Sequence, residues 1–192
     1  MKLNSNYWEN RYQNNEIGWD TGEITTPLKE YIDQLNNKKI KILIPGAGNG
    51  YEFDYLIHNG FKNVFVVDLA PTPLKNIEQR NPDFKDNLIQ SDFFELDQKF
   101  DLILEQTFFC ALDPALRLNY AIKTNELLNS NGKIAGLLFD FPLTEDGPPF
   151  GGSIEEYKTL FSKAFKLKTL EKAHNSIKPR ANKELFFIFE KK

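Results

Sequence analysis

A chain of 192 residues with 41% hydrophobic content has room for one α/β domain with a sizeable core and none for a second full domain. Its net charge of −3, with 24 Lys and Arg interspersed among 27 Asp and Glu, lacks the positive footprint of a nucleic-acid or anionic-membrane partner, so a small-molecule substrate is expected, bound by a monomer or weak homodimer. Cys110 is the single cysteine, which excludes an internal disulfide and a cysteine-based zinc site. No metal ligands are expected either, since His58 and His174 are not spaced as ligands. The opening Met1-Lys2-Leu3-Asn4-Ser5-Asn6-Tyr7-Trp8 has no apolar signal-peptide core, and no run approaches membrane-spanning length. A cytoplasmic location is the expectation.

In chain order, residues 1 to 35 read as an extension ahead of the sheet that mixes aromatic and polar side chains. Trp8 and Tyr12 stand four apart and share a helix face, with Trp19 in the turn Gly18-Trp19-Asp20-Thr21-Gly22 that follows. Thr26 as N-cap and Pro27 at the first helical position start a short second helix through about Gln34. Ile40 to Ile44 is a strand covered on both faces, because its apolar positions are too few for a helix and rich in β-branching. Pro45 has no N–H to donate and is expected to end that ladder. Gly46, Gly48 and Gly50 then allow positive φ and remove the Cβ atoms that keep a ligand from backbone N–H groups. Tyr51 to His58 opens as a helix whose N-terminal N–H groups face the same ligand.

Beyond Asn59-Gly60 a second strand runs from Asn63 to Val67 and ends at Asp68. Pro71 to Arg80 reads as a helix, Asn87 to Gln90 as a third strand closed by Ser91-Asp92, and Phe100 to Leu104 as a fourth. Ala115 to Leu128 has helical spacing and stops at Asn129-Ser130-Asn131-Gly132, ahead of a long strand from Lys133 to Phe141. Strand and helix alternate, which argues for a parallel sheet with helices on both faces. The tail breaks the pattern. After a helix from Ser153 to Ala164, Leu167 to Ala173 and Glu184 to Glu190 are two strands joined by a short polar loop, an expected antiparallel hairpin.

This layout is that of class I S-adenosylmethionine-dependent methyltransferases, a Rossmann-like fold with a mostly parallel seven-stranded sheet. Tyr7-Trp8-Glu9-Asn10-Arg11-Tyr12, Gly18-Trp19-Asp20-Thr21-Gly22 and Thr26-Pro27-Leu28 resemble the thiol and halide methyltransferases of the thiopurine-methyltransferase-like superfamily. Further blocks in the same order carry the resemblance across nearly the whole chain: Ile44-Pro45-Gly46-Ala47-Gly48, Val67-Asp68-Leu69, Phe108-Phe109-Cys110-Ala111-Leu112, Gly147-Pro148-Pro149-Phe150 and Ile177-Lys178-Pro179-Arg180. The resemblance implies S-adenosyl-L-methionine as cofactor and residues 1 to 35 as a helical lid.

Each residue has a blander reading beside the functional one. The glycines serve a tight turn or a close ligand approach; Tyr51, where a dinucleotide fingerprint wants glycine, argues against a nicotinamide cofactor. Asp68, 22 residues after Gly46, is a solvated loop acid or the acceptor for both ribose hydroxyls. Asp92 is a turn cap or an adenine contact with Phe93 beside the ring. By resemblance Asp92 and Phe93 match the family's adenine-side pair, Gln106 its later cofactor contact, and Trp8, Tyr12 and Trp19 its lid over the cofactor. Tyr12 replaces the tryptophan of a related plant enzyme, and Phe150 the tyrosine of the Gly-Pro-Pro motif. From pattern alone the lid aromatics would be core, but a sulfonium cation is attracted to aromatic faces.

Methyl transfer to an anion by direct displacement needs alignment in a dry pocket rather than an acid/base pair. No catalytic acid or base is therefore assigned. Phe93, Phe108, Phe109, Phe141 and Phe150 fall at strand C-terminal ends, with Phe108 and Phe150 the candidates to face substrate. Arg11 and Arg180 either draw in an anion or form surface ion pairs. Cys110 is expected to be buried and inert. The expected acceptor is a small soft nucleophile, thiol or hydrosulfide first and halide second. The alternatives are a thiopurine- or selenium/tellurium-methylating relative, a non-catalytic nucleotide-binding module and, more distantly, a nicotinamide oxidoreductase.

Overall fold

The computed structural model describes residues 3–192; Met1 and Lys2, which open the stretch read as lacking a signal peptide and the 1 to 35 extension, lie outside the described residues. Seven strands form one sheet: β1 Ile42–Pro45, β2 Val64–Asp68, β3 Leu88–Gln90, β4 Phe100–Gln106, β5 Leu128–Phe139, β6 Phe165–Lys172 and β7 Glu184–Lys191. Their spatial order is β3-β2-β1-β4-β5-β7-β6. Strands β1 to β5 pair in parallel, and β7 runs antiparallel between β5 and β6. The order in which strands are added to the sheet reverses between β1 and β4, which run parallel, so the C-terminal ends of β1, β2, β3 and β4 border one crevice, the place where open α/β sheets bind ligands.

The helices are α1 Ser5–Gln13, α2 Thr26–Asp33, α3 Tyr51–His58, α4 Pro71–Arg80, α5 Arg117–Leu127 and α6 Ile154–Phe161. Strand side chains alternate between two apolar cores. Ile42, Ile44, Val64, Val66, Leu102 and Leu104 meet α2, α3 and α4 on one face. Leu43, Val67, Ile103, Ile134 and Leu138 meet α5 and α6 on the other. Period-2 alternation with both sets buried is what a sheet covered on both faces requires. Among the described residues no helix is long and apolar enough to cross a membrane.

Several boundaries differ from those expected. β1 starts at Ile42 rather than Ile40 and ends at Pro45 as expected, with Pro45 in its last pair opposite Val67 and the next residue, Gly46, donating its N–H to the Val67 carbonyl at 2.8 Å. Donors alternate sides along a strand, so the N–H that proline lacks would face β4, where pairing with β1 has already stopped at Leu43 and Ile103. Thr25, not Thr26, is the N-cap of α2, and its hydroxyl is directed away to Gln106. Helix α2 buries Pro27, Leu28, Tyr31 and Ile32, so it belongs to the core rather than to a lid spanning residues 1 to 35. Between β3 and β4 only a single 3-10 turn, Phe93–Glu95, replaces a helix. Residues 129–132 belong to β5, where the register with β4 shifts, and that strand stops at Phe139 rather than Phe141.

Candidate active site

The crevice holds a cavity of about 650 Å³, within the usual range for small-molecule sites. Its floor is the turn after β1. Gly46, Gly48 and Gly50 all have positive φ, at +62°, +53° and +76°. A Cβ at Gly46 would strike the Phe108 ring, whereas one at Gly48 would meet nothing within 4 Å. The two glycines therefore answer different demands: Gly46 lets β1 pack under the β4 loop, and Gly48 leaves backbone open to the cavity that it lines. Both alanine variants should lose about 1 to 2 kcal/mol of stability from the left-handed backbone alone. Gly46→Ala should melt lower still because of the ring. Gly48→Ala should lose ligand affinity out of proportion to its melting shift, and thermal melts beside binding titrations separate the two.

Acids stand along the same edge in the order of the strands. Asp68 ends β2, lines the cavity and accepts the Ala70 N–H at 2.8 Å. Burial pushes its carboxyl up to about 6 against the pull of backbone donors at Ala70, Ala47 and Leu69. Asp92 follows β3, lines the cavity and caps the short turn after it by accepting the Phe94 N–H at 3.0 Å. Phe93 beside it is almost wholly buried and packs on Phe108 and Tyr120 with ring centroids 5.4 and 5.3 Å away. Gln106 at the end of β4 also lines the cavity.

The opposite wall comes from the start of the chain. Trp19 stands edge-on to both Trp8 and Tyr12, at 5.5 and 5.6 Å, and all three line the cavity. This wall is fastened at several points. Glu9 accepts from the Thr72 hydroxyl at 2.6 Å, and Ser5 donates to the Leu69 carbonyl at 2.8 Å. Asp20 accepts from Asn49 in the glycine turn and from the Tyr51 hydroxyl. Arg180, in the loop between β6 and β7, donates to the Trp19 carbonyl at 2.8 Å and lies 3.5 Å from Glu184. Arg11 is occupied by Glu16, through its carbonyl at 3.1 Å and its carboxylate at 3.5 Å. Both arginines line the cavity while making these ties.

The remaining wall is largely apolar. Phe108, Cys110, Leu112, Leu116, Pro148 and Pro149 form it. Phe150 is not among the residues lining the cavity: its N–H is held by the Cys110 carbonyl at 2.8 Å, its ring lies against Gly147, and the two prolines before it take the rim. Phe109 is core, packed on Tyr120, Tyr157 and Phe161, and Phe141 is outside the lining, where Phe139 stands instead. Burial pushes the Cys110 thiol far up, so it stays protonated.

Two buried acids carry no distinctive local pattern. Glu105 is completely buried; one carboxylate oxygen accepts the Phe108 and Phe109 N–H groups at 2.8 and 2.9 Å, the other the Tyr120 hydroxyl at 2.5 Å. It thereby fixes the loop that carries Phe108 into the cavity. Glu52, in the first turn of α3, is 6% exposed and lines the cavity. The only signal for Glu52 was its position just past the glycines, and for Asp20 its place within the Gly-Trp-Asp-Thr-Gly block.

Comparison with known proteins agrees with this architecture. Over residues 3–191 the chain matches the family described as Thiopurine S-methyltransferase (TPMT). It is 27% identical over 184 residues to the probable thiol methyltransferase 2 of Arabidopsis thaliana, spanning 92% of this chain and 81% of that one. To the thiopurine S-methyltransferase of Acinetobacter baylyi it is 26% identical over 192 residues, spanning 86% and 87%. In fold it is similar to the Burkholderia thailandensis 1,6-didemethyltoxoflavin-N1-methyltransferase, solved with S-adenosylhomocysteine, at a TM-score of 0.76 and 19% identity over 97% of this chain and 86% of that one. With a family match across nearly its whole length and a methyltransferase sheet beneath the site, the chain belongs to the thiopurine S-methyltransferase family.

Proposed function

We propose that this methyltransferase binds S-adenosyl-L-methionine between the glycine turn and the aromatic wall, and methylates a small soft nucleophile, thiol or hydrosulfide first and halide second. The observation that supports this most is the meeting of Trp8, Tyr12 and Trp19 across one cavity from Gly48, Asp68 and Asp92. The residues suit the cofactor's parts: carboxylates for ribose and adenine, a bare backbone beneath, and aromatic rings for a cation. When bound, the cofactor supplies a methyl group on a positively charged sulfur, open to direct displacement.

The chain's own part is positioning and exclusion of water. Phe108, Leu112, Leu116, Pro148 and Pro149 offer the acceptor an apolar wall, where an incoming anion sheds water and its attraction to a cation strengthens. Alignment in such a pocket supplies part of the roughly 7 to 11 kcal/mol available from proximity. Arg180, lining the cavity beside the aromatic wall, adds positive potential there while holding the Trp19 carbonyl. A thiolate or hydrosulfide arrives deprotonated and needs no base.

Following methylated product with hydrosulfide, aryl thiols, iodide and selenite tests the acceptor; turnover should be fastest on the sulfur nucleophiles. Cofactor binding without turnover on any thiol would make the chain a non-catalytic binding module instead. The aromatic wall has its own signature. Trp19→Leu keeps the backbone carbonyl for Arg180 but removes the π face, so affinity for S-adenosylmethionine should fall about 2- to 30-fold more than affinity for neutral S-adenosylhomocysteine. Equal loss for both ligands in titration calorimetry would remove the cation argument.

A further inference from the structure

Resting on the cofactor reading above, we infer that Glu52 is the acceptor for the α-ammonium group at the amino-acid end of S-adenosylmethionine. Glu52 is a side chain only 6% exposed that lines the cavity, and the one hydrogen-bond donor to its carboxylate among the described residues is its own backbone N–H. Its neighbours do not supply another. The guanidinium of Arg180 is directed to the Trp19 carbonyl and to Glu184, and the carboxylate of Asp20 is taken by Asn49, Tyr51 and the Gly22 N–H. A carboxylate kept this far from water with no donor from another residue is costly, and its natural complement is a cation with several donors. Burial pushes this group up to about 7, against the hydrogen bond from its own backbone N–H and the positive charge of Arg180.

Strand order says which end of the ligand reaches it. Asp92, Asp68 and the glycine turn follow β3, β2 and β1, neighbours in space in that order. An adenine at Asp92 and a ribose at Asp68 therefore direct the amino-acid end toward β1 and β4, and Glu52 stands in the first turn of the helix that starts directly after the glycine turn. Helix α3 packs with the core on one face of the sheet, whereas Phe108, Phe109 and Leu112 pack with the other. The apolar acceptor wall and Glu52 thus lie on opposite flanks of the cavity, which disfavours Glu52 as a proton acceptor for the incoming thiol.

The test is a binding cycle by titration calorimetry on the full chain, using wild type and Glu52→Gln against S-adenosylhomocysteine and its deaminated analogue, with 5′-methylthioadenosine as a ligand that lacks the amino-acid end. Wild type should lose about tenfold to a hundredfold in affinity when the ammonium is removed, the range for a hydrogen bond to a charged group. Glu52→Gln should show little further loss on deamination and should bind 5′-methylthioadenosine as wild type does. The wild-type arm stands alone if the variant does not fold. Equal wild-type affinity for the amino and deaminated ligands overturns the inference, as does a uniform loss on all three ligands in the variant. Unchanged binding with lost turnover overturns it in favour of a proton-accepting Glu52. Failure of wild type to bind any of the three ligands is distinguishable from these and removes the cofactor reading itself.

Discussion

Replacing Asp68 with alanine is expected to weaken binding of S-adenosylmethionine and of S-adenosylhomocysteine alike, by about a hundredfold. The carboxylate stands at the C-terminal end of β2, held by the Ala70 N–H and lining the cavity. A ribose diol donates two hydrogen bonds to such a group, each worth roughly 1.5 to 3 kcal/mol when the acceptor is charged, so losing both corresponds to on the order of 3 kcal/mol or more. The diol is common to both ligands, so the two affinities should fall together, unlike the Trp19→Leu result. Folding should suffer far less, by about 1 kcal/mol for the lost turn cap. Titration calorimetry alongside a thermal melt checks both halves, and an affinity within threefold of wild type would mean that the acid is only a turn cap.

Glu105→Leu is expected to be the most destabilising single change in the site, costing roughly 3 to 5 kcal/mol because the Phe108 and Phe109 N–H groups and the Tyr120 hydroxyl are all orphaned in the core. For a chain of this size that is a fall of about 10 °C in melting temperature. Glu105→Gln keeps an oxygen for the two N–H groups, and the Tyr120 hydroxyl can turn to accept from the new amide, so it should melt near or above wild type. The two variants also separate with pH. Burial holds Glu105 up at about 7 against its ordinary value of 4.5, so the folded chain keeps a proton that the unfolded chain releases in that interval. Wild type therefore loses stability as pH rises from about 4.5 to 7, and Glu105→Gln should gain on it over that range. A flat difference across the interval would show that desolvation of Glu105 does not govern its titration. Loss of ordered Phe108 should accompany the leucine variant, so its ligand affinity should fall even where it remains folded.

Much of the fold was legible because it depends on short-range periodicity. The buried run before the glycines is a short β-branched block, and the proline-started helix at Pro71 and the final pair of strands carry repeats of 3.6 and 2 residues, each bounded by turn chemistry within a few positions. Asp68 was legible for a similar reason, lying a fixed distance from Gly46 at a strand end. Pro45 closes β1 as its missing N–H implies, but that it can still stand in the last pair with Val67 depends on β4 stopping short of it on the other side. Phe150 was misjudged because a ring's direction depends on the loop around it, here turned onto Gly147.

Consecutive residues alone determined the strand and helix alternation, the glycine turn and the aromatic richness of the first twenty positions, since backbone preference and side-chain period act between near neighbours. Tertiary structure decided which aromatics face the cavity, that Arg180 holds the carbonyl of Trp19 across 161 positions, and that Glu52 and Glu105 are buried acids with opposite fates, one turned to the cavity with only its own backbone N–H as donor and one bonded to three groups from other residues. Desolvation and long-range hydrogen bonds depend on what packs against a residue, and that is set by the order of strands in the sheet rather than by the residues on either side in the chain.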